Sequence, residues 1–152
     1  MSQDLLATAR RLAKASPQKP RQSDLKRAIS TAYYALFHAM ARNAADMLVG
    51  AGAARADKAW SQAYRALDHG LSETACSQLR GLGFPQGLCS CGDAFVQLQQ
   101  ARHDADYDPN HKVNRAGALA MIALAEGAIA ELAASTRRDR KALAVQLLFK
   151  RR

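Results

Sequence analysis

Aromatic and β-branched residues are scarce in this chain of 152 residues. Aromatic residues make up only 6% of it, whereas hydrophobic residues, alanine prominent among them, make up 49%. Strands favour β-branched and aromatic side chains, and alanine has the highest helix propensity. The composition therefore excludes a β-rich fold and predicts an all-α protein, and the length suits a single domain over residues 1–152.

The sequence also lacks a long uninterrupted apolar segment. Residues 1–16 carry charges throughout and contain no apolar core of a secretory signal. The alanine-rich run after Arg115 is interrupted by Glu126 and Glu131, and so it falls short of the roughly 18 apolar residues that indicate a membrane span. We therefore expect a cytoplasmic protein that has no membrane partner.

Cysteine is limited to three residues, Cys76, Cys89 and Cys91. An odd number of cysteines in a chain expected in the cytoplasm argues against a disulfide framework. A zinc site would need a fourth ligand such as His103, and the spacing Cys-Ser-Cys is shorter than that of structural zinc sites. We expect reduced thiols in a loop, no metal and no cofactor.

Positive charge is in excess, with 22 Lys and Arg against 13 Asp and Glu. Residues 137–152 contribute +6 of the net +9, from seven cations and one Asp. This basic C-terminal extension, about residues 136–152, has two possible interpretations. Either it attracts nucleic acid or an acidic partner, or it is a solvated end of the chain.

Helical periodicity recurs along the chain. It predicts helices over about 4–15, 23–49, 57–69, 93–107 and from 114 onward, with an exposed loop over GLGFPQGLCSCG at residues 81–92. The predicted architecture is an up-and-down bundle of four main helices with short additional helices, and with its core over about residues 4–134.

The predicted long helix over residues 23–49 has two faces. Its apolar face carries Leu25, Ile29, Ala32, Leu36, Met40 and Met47, and its polar face carries Arg27, Thr31, Tyr34, His38 and Arg42. We expect Tyr33 in the core. The polar face is either a solvated stripe or dimer contact, or a surface on which Tyr34 stacks on a base and Arg42 meets a phosphate.

A second segment, ARHDADYDPNH at residues 101–111, places several acids at the end of a predicted helix. Acids there oppose the helix dipole, and a broken local rule often marks function. A structural interpretation is equally available, because Arg102 and Asp106 can pair at i,i+4 and Asp108 can begin an Asx turn. A calcium loop is excluded, since Pro109 and Arg115 stand where that loop needs Gly and Glu.

Taken together, two motifs resemble the HEPN (higher eukaryote and prokaryote nucleotide-binding) domain superfamily, particularly its small stand-alone bacterial members. The motifs are Arg27-Ala-Ile-Ser-Thr-Ala-Tyr-Tyr-Ala-Leu-Phe-His38 and Arg102-His-Asp-Ala-Asp-Tyr107, and the likeness extends over about residues 4–134. This resemblance implies an up-and-down bundle, a homodimer and pairing with a nucleotidyltransferase partner in a toxin–antitoxin system.

The resemblance also implies a form of catalysis. Active HEPN ribonucleases need no metal and use an Arg followed after four to six residues by His, with two copies meeting at a dimer interface. Arg102 matches the motif Arg, but Tyr107, Asp108 and Pro109 stand where the His is expected. His103 is adjacent to Arg102 and diverges from it by about 100° on a helix, so His103 or His111 would have to approach the Arg102 of a second copy.

Two hypotheses of function follow. In the first, the chain is a HEPN-like RNA- or nucleotide-binding protein of a toxin–antitoxin system, whose endoribonuclease activity is degenerate or absent and, if present, is metal-independent. In the second, it is a non-catalytic dimeric module that docks a partner such as a nucleotidyltransferase. The expected catalytic residues are Arg102, His103 and His111, and the expected RNA, nucleotide or dimer surface comprises Arg27, Tyr34, His38, Arg42, Asp106 and Tyr107.

Overall fold

The computed structural model describes residues 1–149, and every element of regular structure in that range is a helix. In chain order the helices are α1 (Ser2–Ala13), α2 (Gln22–Leu48), α3 (Asp57–Arg65), α4 (His69–Ser77), α5 (Gln86–Tyr107), α6 (Arg115–Ala134) and α7 (Arg137–Leu148). The predicted all-α bundle is confirmed.

Helix α2 is the central element of the bundle. It packs against α1, α5 and α6, which complete the four main helices, and also against α3 and α7. The predicted apolar face of α2 is buried, and Tyr33 is fully buried with its ring centroid 5.5 Å from that of Phe95 on α5. Amphipathic periodicity therefore identified both the length of α2 and the side that forms the core.

The segment predicted as an exposed loop over residues 81–92 is mostly helical. Helix α5 begins at Gln86 rather than at Asp93, and both Cys89 and Cys91 are buried. A Cβ atom at Gly92 would lie 2.8 Å from Leu79 Cδ1, so this glycine allows α5 to approach the end of α4. The prediction of loop cysteines was wrong because glycine serves close packing here rather than a turn.

Burial also sets the chemistry of these thiols. It raises the pKa of the Cys91 thiol to about 12 and raises the pKa of the Cys76 thiol as well. The Cys89 thiol donates a hydrogen bond to the Phe84 carbonyl oxygen. Because thiolates are the nucleophiles and metal ligands, the protonated Cys76 and Cys91 act as small core residues.

The helix predicted over residues 57–69 is in fact two helices. Helix α3 ends at Arg65, and α4 begins at His69 after Asp68, whose side chain accepts a hydrogen bond from the Leu71 backbone N–H at 2.8 Å. Asp is a preferred N-cap residue because its carboxylate accepts from free amides of the first turn. The consequence is that His69 lies at the start of a separate helix, turned toward α2 and α5.

The basic C-terminal extension contains a packed helix. Helix α7 is capped by Thr136 and places Leu143 and Leu147 in the core, against the same bundle. Arg137 and Arg138 remain exposed on its first turn. The three cations at positions 150–152 lie outside the described residues.

Helix α6 has the length and composition of a membrane-spanning helix. An 18-residue window within this helix has a mean hydropathy of 1.6, which is high enough for a membrane span by length and composition. The expectation that Glu126 and Glu131 would prevent this was wrong. In the fold, α6 packs against α2 and α5 and buries Ile122 and Leu132. The absence of a membrane partner stays a prediction.

Arg115, at the start of α6, forms hydrogen bonds with the end of α1 and the segment that follows it. Its guanidinium donates three hydrogen bonds, from Nε to the Ala13 carbonyl (3.0 Å), from Nη2 to the Ser16 carbonyl (2.5 Å) and from Nη1 to the Pro17 carbonyl (2.7 Å). The first bond satisfies a carbonyl group that the end of α1 leaves without a helical partner, and the other two fix the segment that follows α1.

We expect Arg115→Ala to lower the free energy of unfolding by about 2 kcal/mol, because hydrogen bonds from a charged donor are lost and carbonyl groups lose their partners. Urea unfolding followed by circular dichroism measures the change. The exposed Lys112 provides a control, and Lys112→Ala should change stability by no more than about 0.5 kcal/mol. Equal effects of the two substitutions would contradict this role of Arg115.

Candidate functional site

The polar face of α2 is shared between two neighbouring helices. Toward its N-terminus it faces the end of α5, where Ser30 Oγ donates to Asp106 Oδ1 at 2.5 Å. Toward its C-terminus it faces α3, where His38 Nδ1 lies 2.6 Å from Tyr64 Oη. The stripe predicted from the sequence is therefore divided into two sites, one at α5 and one at α3.

Arg102 is the centre of the first site. Its Cζ lies 5.0 Å from the ring centroid of Tyr33 and 5.9 Å from that of Tyr34, both within range of a cation–π interaction. Its Nη1 lies 3.7 Å from Asp106 Oδ2, which confirms the predicted i,i+4 pair. The Arg102 side chain is only 13% exposed, and its Nε has no hydrogen-bond partner within residues 1–149. A cation held this way is largely desolvated, so it interacts strongly with any negative charge that reaches it.

His69 completes this site, and sequence analysis missed it. Its ring stacks on Phe37 at 4.2 Å between centroids, and its centroid lies 5.6 Å from that of Tyr33 and 6.0 Å from that of Tyr34. Arg102 and His69 therefore contact the same two tyrosine rings. We name Tyr33, Tyr34, His69, Gln99 and Arg102 the Arg102 cluster.

Hydrogen bonds within the Arg102 cluster fix the tautomer of His69. Gln99 Nε2 donates to the His69 carbonyl at 3.2 Å, and Gln99 Oε1 accepts from the Tyr33 hydroxyl at 2.6 Å. Since Tyr33 gives its only hydroxyl hydrogen to Gln99, the hydrogen bond between Tyr33 and His69 must be donated by His69 Nδ1–H. The neutral His69 ring then carries its lone pair on Nε2.

The charge state of His69 suits a proton acceptor. Burial lowers the pKa of His69 below its ordinary value of 6.5, and the positive charge of Arg102 lowers it further, against the opposing effect of Asp68. His69 is thus neutral at pH 7. Within residues 1–149 the His69 ring forms its hydrogen bond through Nδ1 and none through Nε2, and the residue is partly exposed to solvent. The site therefore presents an accessible base beside a desolvated cation.

Tyr33 serves as a fixed bridge between the base and the cation. Burial raises the pKa of the Tyr33 phenol, and the effect exceeds the lowering by Arg102. The phenol therefore stays protonated and keeps its hydrogen bond to Gln99. The Tyr33 hydroxyl therefore positions His69 and does not itself take part in proton transfer.

The other predicted residues of the α5 end lie around the cluster. His103 is exposed, with its ring centroid 5.0 Å from that of Tyr107, which is 66% exposed. His111 follows the helix end, where the predicted Asx turn is formed by Asp108 Oδ1 and the Asn110 amide at 2.9 Å. Neither His103 nor His111 forms a hydrogen bond or ring contact with Arg102 in the described part of the chain.

The remaining predicted residues are placed apart from Arg102. Arg27 is exposed about two turns before Tyr34 on α2, and its carbonyl accepts a hydrogen bond from Thr31 Oγ1. His38 and Arg42 lie in the second site, at α3, where Arg42 Nε is 3.7 Å from Asp46 Oδ2. Among the residues predicted on the polar face of α2, only Tyr34 contacts Arg102 directly.

No family model, curated protein or solved structure matches this chain.

Proposed function

We propose that this protein is a HEPN-like RNA-binding protein whose Arg102 cluster cleaves RNA without a metal ion. The observation that carries the proposal is the shared contact of Arg102 and His69 with Tyr33 and Tyr34, together with the free Nε2 of His69. Cleavage of RNA by its own 2′-hydroxyl needs a base for that hydroxyl and positive charge at the phosphate. The cluster offers both.

The residues have distinct roles in this reaction. His69 Nε2 takes the proton of the 2′-hydroxyl, the 2′-oxygen forms a bond to phosphorus, and the bond from phosphorus to the 5′-oxygen breaks. The leaving 5′-oxygen receives a proton from solvent. Arg102 stabilises the added negative charge on the phosphate oxygens, and Tyr34 supplies an aromatic ring at the rim of the site. His69 thus takes the part that the HEPN motif gives to a histidine after Arg102.

Binding of an RNA oligonucleotide with 2′-O-methyl groups tests the RNA site separately from cleavage, because such RNA has no nucleophile. Arg102→Ala should weaken binding by about tenfold, the loss of one charge-assisted contact. The slope of log affinity against log salt concentration should also decrease, by about the amount that corresponds to one phosphate contact.

Arg55→Ala is the matched control for this binding experiment, because Arg55 pairs with Asp57 on α3 and lies outside the cluster. It should leave the affinity of the oligonucleotide nearly unchanged. Unchanged affinity and unchanged salt dependence in Arg102→Ala would argue against RNA at the Arg102 cluster.

A second candidate is a dimeric docking module for a partner such as a nucleotidyltransferase. The exposed ring of Tyr107 favours it, since exposed aromatic side chains often anchor interfaces. Such a module would bind a protein partner in stoichiometric amount and would show no RNA cleavage for Arg102→Ala to remove.

A further inference from the structure

The second site is a cleft of about 660 Å³ beside the C-terminal half of α2. Residues of α2, α3, α6 and α7 line it, together with the first residues of α1. Its size lies within the range of pockets for small ligands. Neither Arg102 nor His69 lines it, so the cleft is separate from the site of the proposed cleavage.

Positive charge is in excess in the lining of the cleft. Three arginines line it, Arg42, Arg65 and Arg140, against one carboxylate, that of Asp46. Both oxygens of Asp46 already have partners, since Oδ1 accepts a hydrogen bond from Trp60 Nε1 at 2.8 Å and Oδ2 lies 3.7 Å from Arg42 Nε. The cleft therefore favours a ligand that carries a negative charge.

The N-terminus of α1 adds backbone donors to the same cleft. Ser2 and Gln3 belong to its first turn and line the cleft, and the N-cap residue, Met1, forms no side-chain hydrogen bond with the amides of that turn. Free amides at a helix N-terminus, where the helix dipole is positive, bind anions. The α1 amides and the arginines thus supply donors for one anionic group.

Two lining residues also carry buried polar atoms without partners. Asn43 is 7% exposed, and its Oδ1 accepts no hydrogen bond within residues 1–149, while its Nδ2 donates to the Arg140 carbonyl at 3.1 Å. Arg140 Nε has no partner in the same described range. A side-chain shift brings these atoms to a ligand, and their missing hydrogen bonds lower the cost of that shift. The ligand therefore needs an acceptor for Arg140 and a donor for Asn43.

The aromatic rings of the cleft already have partners. Tyr64 stacks on both Trp60 and His38, at centroid distances of 5.2 Å and 5.8 Å. Arg55 covers Trp60, with its Cζ 4.0 Å from the ring centroid, and the Tyr34 ring lies 6.3 Å from that of His38. A planar heterocycle therefore has little ring surface on which to stack.

The remaining apolar surface of the cleft is aliphatic. It consists of side chains from α2 and α6, namely Ala39, Met47, Ile129, Leu132 and Ala133. Such a surface binds a hydrocarbon chain through the hydrophobic effect, and it offers no hydrogen-bond partner to the hydroxyl groups of a sugar. The apolar part of the ligand is therefore a hydrocarbon chain rather than a nucleoside.

We infer that this cleft binds an aliphatic hydroxycarboxylate, a hydrocarbon chain with a hydroxyl group next to its carboxylate. The carboxylate accepts hydrogen bonds from the arginines and the α1 amides, because it has acceptors only. The hydroxyl donates to Asn43 Oδ1, and the chain packs against Ile129 and Leu132. This inference goes beyond the proposed RNA cleavage and does not depend on it.

Trp60 makes the inference directly testable, because it is the only tryptophan in the chain and lines the cleft. The experiment titrates purified protein with octanoate, decanoate, 2-hydroxyoctanoate and 3-hydroxyoctanoate while Trp60 fluorescence is followed, and repeats the titrations by calorimetry. Octylamine has the chain of octanoate with the opposite charge. AMP is an anion with a planar heterocycle in place of the chain.

Saturable binding of octanoate is expected, and decanoate should bind about tenfold more tightly because it adds two methylene groups. At least one hydroxyoctanoate should bind about fivefold more tightly than octanoate, through one further hydrogen bond. Octylamine and AMP should bind more weakly than octanoate. No saturable binding of any carboxylate, no gain from the hydroxyl group at either position, or binding of octylamine or AMP as tight as that of octanoate would overturn the inference.

A matched pair of variants locates the binding in the cleft. Ala133 and Ala134 are neighbouring exposed residues near the end of α6, and only Ala133 lines the cleft. Ala133→Glu adds a negative charge to the cleft without altering the core and should weaken octanoate binding about tenfold or more. Ala134→Glu adds the same charge outside the cleft and should bind octanoate as the wild type does. Equal affinities of the two variants would overturn the inference.

RNA cleavage in EDTA keeps this test apart from the proposed function. Neither alanine belongs to the Arg102 cluster, so both variants should cleave RNA at the wild-type rate. Absence of cleavage in all proteins would contradict the proposed function alone. Absence of carboxylate binding with normal cleavage would contradict the cleft alone.

Discussion

His69→Gln is expected to lower the rate of RNA cleavage in EDTA by about 10²- to 10⁴-fold, the usual contribution of a general base. Glutamine retains an amide that can approach Tyr33, but it offers no basic nitrogen to the 2′-hydroxyl. A time course with a defined RNA oligonucleotide measures the loss. Circular dichroism checks that the variant keeps its helical structure.

The pH dependence of cleavage gives this prediction a second readout. Only neutral His69 can accept a proton, and burial lowers its pKa below 6.5, with Arg102 lowering it further. Cleavage by the wild type should therefore persist as the pH falls to 6.5 and decline at lower pH, as Nε2 becomes protonated. The residual activity of His69→Gln should lack this decline.

His103→Gln and His111→Gln are the matched controls for His69→Gln. Neither histidine contacts Arg102 by a hydrogen bond or a ring within residues 1–149, so each variant should cleave RNA within a few fold of the wild-type rate. The opposite pattern, with cleavage lost in one of these variants and retained in His69→Gln, would contradict the role of His69. It would favour the arrangement expected from the sequence, in which a histidine reaches Arg102 of a second copy.

Local features of the fold were predictable from the sequence. The periodicity of α2 and the glycine that follows it, Gly50 with φ +119°, gave its limits to within one residue. The pair of Arg102 with Asp106 and the Asx turn of Asp108 were likewise predictable. These features depend on residues at most four positions apart, so their geometry is set by the helix and the turn.

Features that depend on packing between helices were missed. The glycines of α5 looked like loop residues, yet Gly92 is needed where α5 meets Leu79. His69 precedes Arg102 by 33 positions, and no motif at fixed spacing joins them. The one local signal was Asp68, an N-cap residue that breaks the helix predicted over 57–69 and turns His69 toward α2.

The second site, at α3, shows the same limit of sequence-based prediction. His38 and Arg42 were predicted as one stripe with Tyr34, because they follow one another on the polar face of α2. In the structure the Tyr34 and His38 ring centroids are 6.3 Å apart, but the two side chains have different partners. Helix α3 covers the C-terminal half of that face, and α7 brings Arg140 beside Asn43. Periodicity along one helix gives the side on which a residue lies, but it does not give the neighbour that covers it.

Arg102→Ala should lower the rate of RNA cleavage more than any substitution outside the cluster. The guanidinium is the positive charge that both tyrosine rings hold beside His69, and alanine leaves the developing phosphate charge without a partner. Loss of one such group typically costs about 10²- to 10³-fold in rate. The exposed Arg21, at the start of α2, supplies the control, and Arg21→Ala should cleave RNA as the wild type does.

The most direct test of the account is incubation of the purified protein with mixed RNA in EDTA, with wild type and Arg102→Ala compared side by side. The account predicts that the wild type cleaves the RNA although metal ions are chelated, and that Arg102→Ala leaves it intact while remaining folded. Identical products at the same rate from both proteins, or no cleavage by the wild type in EDTA, would contradict it.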